Sequence, residues 1–358
     1  MVTEITYNSN GGKSVDGQMI KPPLPHSLEP PQRNNDIVDE CFGIPLKTLQ
    51  VDTIPGFNIY LNVKGKNEYV LYRSGEIKFT EEHKEKLSSN MIGEIFIKSS
   101  QRQLYSKYIE DNLTEIIADQ SFPRDKKSTL VYKCSTDLLQ NIFDGAQIAD
   151  RIPRVTKLVR NTVEHLYKGI DEFISLLDRM SHDYYTVTHS VNVCIIGVAL
   201  GQRIGLNRNE LNDLGTGLLL HDLGKSKIDN KILYKKGPLN ESEWKIIKKH
   251  PHFGAVIAEN TNRVSPLSLT VIRQHHEKCS GRGYPIGLYE PQIHLYSRIA
   301  GLADVYDALT TERPYEAALD AFQAIQLMQR EMANAFSPDL FKELVLLLNN
   351  KEGQSINN

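Results

Sequence analysis

The chain has 358 residues, which suits two domains at ~150 residues each. Its 40% hydrophobic and 24% charged content excludes disorder throughout, and 42 Lys+Arg against 44 Asp+Glu, a net charge of −2, excludes a generally basic surface for nucleic acid polymer or anionic membrane. No run of 18 apolar residues occurs, and Met1 to Ile20 lacks the basic and apolar stretches of a signal peptide, so the expectation is a cytoplasmic protein without a membrane anchor.

Residues 1–36 carry Pro22, Pro23, Pro25, Pro30 and Pro31 among polar residues without apolar periodicity, and read as an extended tail. Residues 37–123 read as a small α+β domain. Phe57–Val63 and Tyr69–Tyr72 are β-like runs around the turn-forming Lys64-Gly65-Lys66-Asn67, which predicts a hairpin. A polar helix over Thr80–Ser89, a strand over Gly93–Ile97 and a helix from about Gln101 to Asp119 follow. With no cluster of metal ligands and no phosphate loop, this part reads as a regulatory or interaction domain.

Residues 124–358 turn helical, beginning with Thr136–Ala149 and Val155–Met180, which predicts an all-α domain and an α+β chain overall. Asn240 with Glu243 fits a capping box; Pro251 limits the helix that reaches His250; Ser265-Pro266 and Ser337-Pro338 fit N-cap and N1 positions. Cys279–Gln292, with Gly281, Gly283, Pro285, Gly287 and Pro291, predicts a loop between helices.

The four cysteines, Cys41, Cys134, Cys194 and Cys279, form no CxxC pair and read as plain thiols. Histidine carries more information, since eight of the eleven lie between His182 and His294. His189, His221-Asp222, His250, His275-His276 and Asp304 supply five imidazoles and two carboxylates. A pair of metal ions needs a bridging carboxylate plus terminal ligands, and Asp222 is the candidate bridge. Imidazole and carboxylate without thiolate suit Fe, Mn or Zn. His182, His252 and His294 are read as ordinary hydrogen-bonding histidines.

The ordered set His221-Asp222-Leu223-Gly224-Lys225, His275-His276-Glu277, Gly281–Leu288, Ala303–Thr310 and Arg313-Pro314-Tyr315 closely resembles the HD-GYP family of bacterial cyclic di-GMP phosphodiesterases, a branch of the HD metal-dependent phosphohydrolases. The resemblance covers roughly 150 residues, from about Asp183 to about Ala335. It implies a helical bundle around two or three divalent ions, usually iron or manganese. One ion would be held by His189, His221, Asp222 and Asp304, the other by Asp222, His250, His275 and His276. A metal-bridging water or hydroxide would attack the phosphodiester, with Asp222 and Lys225 as the catalytic side chains. Lys225 stands one helical turn from His221, within reach of phosphate.

Gly283 is expected to permit a backbone conformation closed to other residues and Pro285 to stiffen it, presenting Tyr284 to a guanine base or phosphate. Arg313 matches a family arginine that grips phosphate. Diguanylate cyclase (GGDEF) domains are implied as partners of this loop, and a homodimer is compatible with the reading.

Two positions depart from the family. A third ion goes with a glutamate where this chain has Tyr185, so two ions and a pGpG product are expected, with GMP as the further product of a third-metal site. Glu316 stands where many active members carry Lys or Arg. That departure supports a competing reading as a slow cyclic di-GMP receptor or scaffold; hydrolysis of another nucleotide, including a mixed cyclic dinucleotide, is the other alternative.

Overall fold

A computed structural model describes residues 40–63, 68–143, 148–181, 186–312 and 317–355. The expected tail at 1–36, the turn Lys64–Asn67, and His182, Tyr185, Arg313 and Glu316 lie outside the described residues. The described residues divide into two compact units, one ending at Asn112 and one beginning at Leu113.

In the first unit, β1 (Cys41–Pro45), β2 (Ile59–Asn62), β3 (Tyr69–Arg73) and β4 (Glu94–Lys98) form an antiparallel sheet in the order β1-β4-β2-β3. The expected hairpin is β2–β3, shortened at its start by a register irregularity between Ile59 and Tyr60. Strand β1 escaped the sequence reading because Gly43 and Pro45 break its short pattern. Helix α1 (Glu81–Ser89) starts after Thr80, whose backbone N–H donates to His83 Nδ1 at 3.1 Å. The helix expected over Gln101–Asp119 is interrupted at Asn112 into α2 (Arg102–Asp111) and α3 (Leu113–Ala118), the latter in the second unit. Phe57 meets Tyr105 and Tyr108 of α2 edge-on at 5.7 and 5.5 Å, and with Ile44, Ile59, Ile95 and Ile97 forms the unit's buried core.

The second unit is helical. It continues with α4 (Arg124–Phe143), α5 (Ile148–Leu166), α6 (Ile170–Leu177), α7 (Thr186–Arg203) and α8 (Arg208–Leu220). Then come α9 (Asn230–Leu233), α10 (Glu241–Ile247), α11 (His250–Glu259), α12 (Pro266–Gln274), α13 (Leu295–Thr310), α14 (Ala321–Glu331) and α15 (Pro338–Ser355). The helix expected over Val155–Met180 is two, divided at Gly169, whose φ of +150° suits only glycine. Helix α5 also starts earlier than its pattern suggested, at Ile148, and carries Pro153 within it.

The expected caps at Asn240 and Ser265 form. Asn240 Oδ1 accepts from the Glu243 N–H at 2.9 Å while Glu243 Oε2 accepts from the Asn240 N–H at 2.8 Å, and Ser265 Oγ accepts from the Ser268 N–H at 3.1 Å. Helix α7 is apolar on nearly every face and buried along most of its length, packing against α8 and α13, while α12 joins α8 and α11.

One close approach fixes the centre of the bundle. A five-residue 3₁₀ segment, Leu223–Lys227, lies directly on α11, and a Cβ added to Gly224 would stand 1.9 Å from the His250 carbonyl oxygen and 2.4 Å from the Gly254 nitrogen. Both obstacles are backbone, so neither can rotate aside. Gly224→Ala should therefore cost roughly 1–3 kcal/mol. Each kcal/mol corresponds to about 2–4 °C of Tm in a unit of this size, readable by calorimetry. An unchanged Tm would refute the close approach at Gly224.

Candidate metal centre

The helix ends and crossings bring the seven side chains of the sequence set into one buried cage. His189 comes from the first turn of α7 and Asp304 from the third turn of α13. His221 and His275 cap the C-termini of α8 and α12, Asp222 and His276 follow them directly, and His250 opens α11. His189, His221, Asp222, His250 and His275 are each 1% exposed.

Ligand atoms of His189, His221 and Asp304 lie within 4.8 Å of one another, as do those of His250, His275 and His276. Asp222 stands between the two sets: Oδ1 is 3.3 Å from His250 Nε2, and Oδ2 is 3.4 Å from His221 Nε2 and 3.9 Å from His189 Nε2. Asp304 similarly faces His189 Nε2 at 3.0 Å and His276 Nδ1 at 3.4 Å.

The orientation of the rings is imposed from behind. His221 Nδ1 lies 2.7 Å from the Leu218 carbonyl, His250 Nδ1 2.8 Å from the Ile247 carbonyl, and His275 Nδ1 3.0 Å from the Ile272 carbonyl. A carbonyl only accepts, so each Nδ1 carries the proton and each Nε2 turns a lone pair into the cage. His189 has a carboxylate in the same role, since its Nδ1 is 2.7 Å from Oδ2 of the fully buried Asp307. Asn192 Nδ2 donates to the other Asp307 oxygen at 2.8 Å. Sequence reading passed over Asp307 because an aspartate one turn beyond Asp304 on α13 carries no separate motif; only the fold aims it at His189.

This donor set fits divalent cations. His250 and His275 present lone-pair nitrogens 3.2 Å apart, and His221 Nε2 and Asp222 Oδ1 are buried without any hydrogen-bond partner. Buried acceptors converging without donors are costly unless a cation stands among them. Protonation is the alternative, and burial opposes it: it pushes His250 down to about 4 and His275 and His276 well below the ordinary imidazole range. Burial pushes Asp222 upward, but the Lys225 ammonium, donating to Oδ2 at 2.6 Å, together with the imidazoles of His221 and His250 outweighs it and holds the carboxyl well below its usual range. Lys225 is not one turn along the helix of His221, as expected, because α8 ends at Leu220; it sits in the 3₁₀ segment after the HD pair, bonded to the candidate bridge.

The Cys279–Gln292 segment is a loop with one short 3₁₀ turn, Glu290–Gln292. Its organiser is Glu277, which sequence reading quoted without a role. Glu277 is 5% exposed, and its carboxylate accepts from the backbone N–H groups of Ile286 at 2.8 Å, Gly287 at 3.0 Å and Leu288 at 2.8 Å. Gly283 is required for a different reason from the one expected. The left-handed positions are Gly281 (φ 74°) and Gly287 (φ 82°), whereas a Cβ on Gly283 would stand 2.3 Å from the Lys278 nitrogen. Tyr284 packs its ring on His276, with centroids 4.5 Å apart and planes at 30°. His294 caps α13 through Nδ1, accepting from the Tyr296 N–H at 3.2 Å, and His252 is exposed.

A family model described as "HD domain" matches residues 148–340. A cyclic di-GMP phosphodiesterase of Pseudomonas aeruginosa is 38% identical over 207 residues, 57% of this chain and 50% of the relative. A 3′3′-cGAMP-specific phosphodiesterase of Vibrio cholerae is 35% identical over 252 residues, 67% of this chain and 53% of the relative. The chain thus spans about half the length of the curated relatives it matches. Among solved structures, an HDG"Y"P protein from Bdellovibrio bacteriovorus shares the fold, with a TM-score of 0.59 at 19% identity over 86% of this chain and 99% of that one. With that match across the helical unit and the HD, HHE and GYP motifs gathered at one cage, the chain belongs to the HD-domain family, in its HD-GYP branch.

Proposed function

We propose that the helical unit is a metal-dependent phosphodiesterase that opens cyclic di-GMP to linear pGpG. The observation that carries this reading is the pair of imidazole–carboxylate sets sharing Asp222, with His221 Nε2 and Asp222 Oδ1 buried and turned inward without a hydrogen-bond partner. His189, His221, Asp222 and Asp304 would hold one divalent ion and Asp222, His250, His275 and His276 the other, with iron or manganese implied by the resemblance to the HD-GYP family among the Fe, Mn or Zn that the ligand types suit. Bound there, the ions would supply Lewis acidity, lowering the pKa of a water and neutralising charge on the phosphoryl oxygens.

The protein's own groups supply position and exclusion of water. The four Nδ1–H bonds fix ring directions before substrate arrives, and the buried cage provides a low-dielectric surrounding in which each charge counts for more. Lys225 brings a positive charge beside Asp222, positioned to contact a phosphate oxygen. Tyr284, on its Glu277-anchored loop with Gly283 and Pro285, offers a ring to a guanine base, and Arg313 is assigned a phosphate contact on its motif position. The assignment of pGpG as end product follows from Tyr185 in place of a third-site glutamate.

The similarity to 3′3′-cGAMP-specific enzymes supports a second reading, in which the mixed cyclic dinucleotide is the better substrate. Both substrates carry the same phosphodiester chemistry, so the cage serves either.

The deciding experiment incubates Mn(II)-loaded and anaerobic Fe(II)-loaded protein with cyclic di-GMP and, separately, 3′3′-cGAMP, and identifies products by chromatography. Metal-dependent pGpG is expected, absent from Asp222→Ala, which should also lose most of its bound metal by elemental analysis. GMP as the rapid product would refute the two-ion assignment, and faster turnover of 3′3′-cGAMP would select the second reading. Asp307→Asn tests the support behind His189. It should weaken metal retention by about 10–100-fold, measured by competition with a chelator, without loss of the fold. Unchanged retention would show that the Asp307 bond does not set the ring.

A further inference from the structure

A line of rings and charge leads outward from the cage. Tyr284 stacks on His276, and the Lys248 ammonium stands 5.8 Å from the Tyr284 ring centroid and 5.7 Å from that of Trp244. Lys248 caps the C-terminus of α10 four residues after Trp244, so their contact alone would be local. Tyr284 comes from the loop after α12 and makes the arrangement non-local. Trp244, the chain's sole tryptophan, is 39% exposed, and the capping box at Asn240 and Glu243 fixes the start of its helix. An exposed indole beside an ammonium, one side chain away from a ring that rests on the cage, offers a π-face and a hydrogen-bond donor together.

We propose that Trp244 and Lys248, with Tyr284, form an outer subsite for a guanine base of the dinucleotide whose phosphodiester lies at the cage. The inference rests on the phosphodiesterase reading above. Bases stack on aromatic side chains regardless of identity, so the indole supplies affinity. Selectivity comes from Lys248: an ammonium only donates, guanine presents acceptors at O6 and N7, and adenine places a donor at N6 beside N7. The subsite therefore favours guanine over adenine. Neither residue is a metal ligand or packs in the core, so its removal should act on binding of the base and not on the fold.

The test uses the full metal-loaded chain and a slowly hydrolysed probe, the bis-phosphorothioate analogue of cyclic di-GMP, with the corresponding cyclic di-AMP analogue in parallel. Trp244 emission, excited where tyrosine is silent, should change saturably with the guanine probe, and calorimetry should show weaker binding of the adenine probe. Trp244→Leu and Lys248→Ala should each weaken the guanine probe by about tenfold, the scale of one base–aromatic stack, with metal content and Tm unaltered. Guanine-probe binding with unmoved Trp244 emission and wild-type affinity in both variants would overturn the subsite and leave the phosphodiesterase reading standing. Absence of probe binding together with absence of cyclic dinucleotide turnover by wild-type protein would overturn both.

Discussion

The cage depends on hydrogen bonds that point away from it. His221, His250 and His275 each spend their Nδ1 proton on the carbonyl three residues earlier, at 2.7 to 3.0 Å. Two of these carbonyls belong to the last turns of α8 and α12, and the third lies at the end of α10, where the intrahelical ladder runs out; the Leu218 carbonyl also accepts from the His221 N–H at 3.4 Å. A carbonyl with a lone pair to spare and an imidazole proton satisfy each other, and the ring is left with its lone pair facing inward. Placing the ligands at helix ends thus solves two problems together, since an imidazole in mid-helix would find its carbonyls already engaged. His189, which sits within α7, has to recruit Asp307 from α13 instead.

Such a cage is expensive until it is filled. Two carboxylates and five imidazoles are taken from water, and the only ammonium bonded to Asp222 among the described residues is that of Lys225. A buried carboxylate with a single partner is a weak source of stability, because desolvation offsets most of the Coulombic gain. The apolar packing of α7 against α8 and α13 must bear that cost. Glycine at close crossings serves the same end. Gly224 lets the segment after Asp222 touch the start of α11, and a Cβ on Gly301 would come within 2.8 Å of the His275 carbonyl, so ligands from separate helices reach one point without long side chains.

Much of this was legible in the sequence because ligand chemistry is local in type. Histidine and aspartate doublets can be picked out one by one, and their order selects the family, although distances between them belong to the fold. The caps at Asn240 and Ser265 were equally readable, since each is a contact over three residues. What escaped depends on partners remote in the chain. Asp307 acts on a residue 118 positions away, and β1 becomes a strand only by pairing with β4. Gly283 was recognised as a necessary glycine for the wrong reason: conformation is a property of one residue, but the obstacle at Lys278 is set by how the loop folds back.

The same distinction explains why the GYP loop behaves as part of the cage. Glu277 directly follows His276, and its buried carboxylate gathers three successive backbone N–H groups, Ile286 to Leu288, in the manner of an anion held by a turn. The carboxylate is thereby anchored at both ends, by its main chain at the ligand doublet and by its oxygens at the far side of the loop. Closure of that ring forces the intervening residues past Lys278, where Gly283 alone can pass, and lays Tyr284 over His276. The carboxylate that holds the loop is thus the residue next to the histidine doublet, so one short stretch of chain, His275 to Glu277, places both the imidazoles of the cage and the ring of Tyr284 over it.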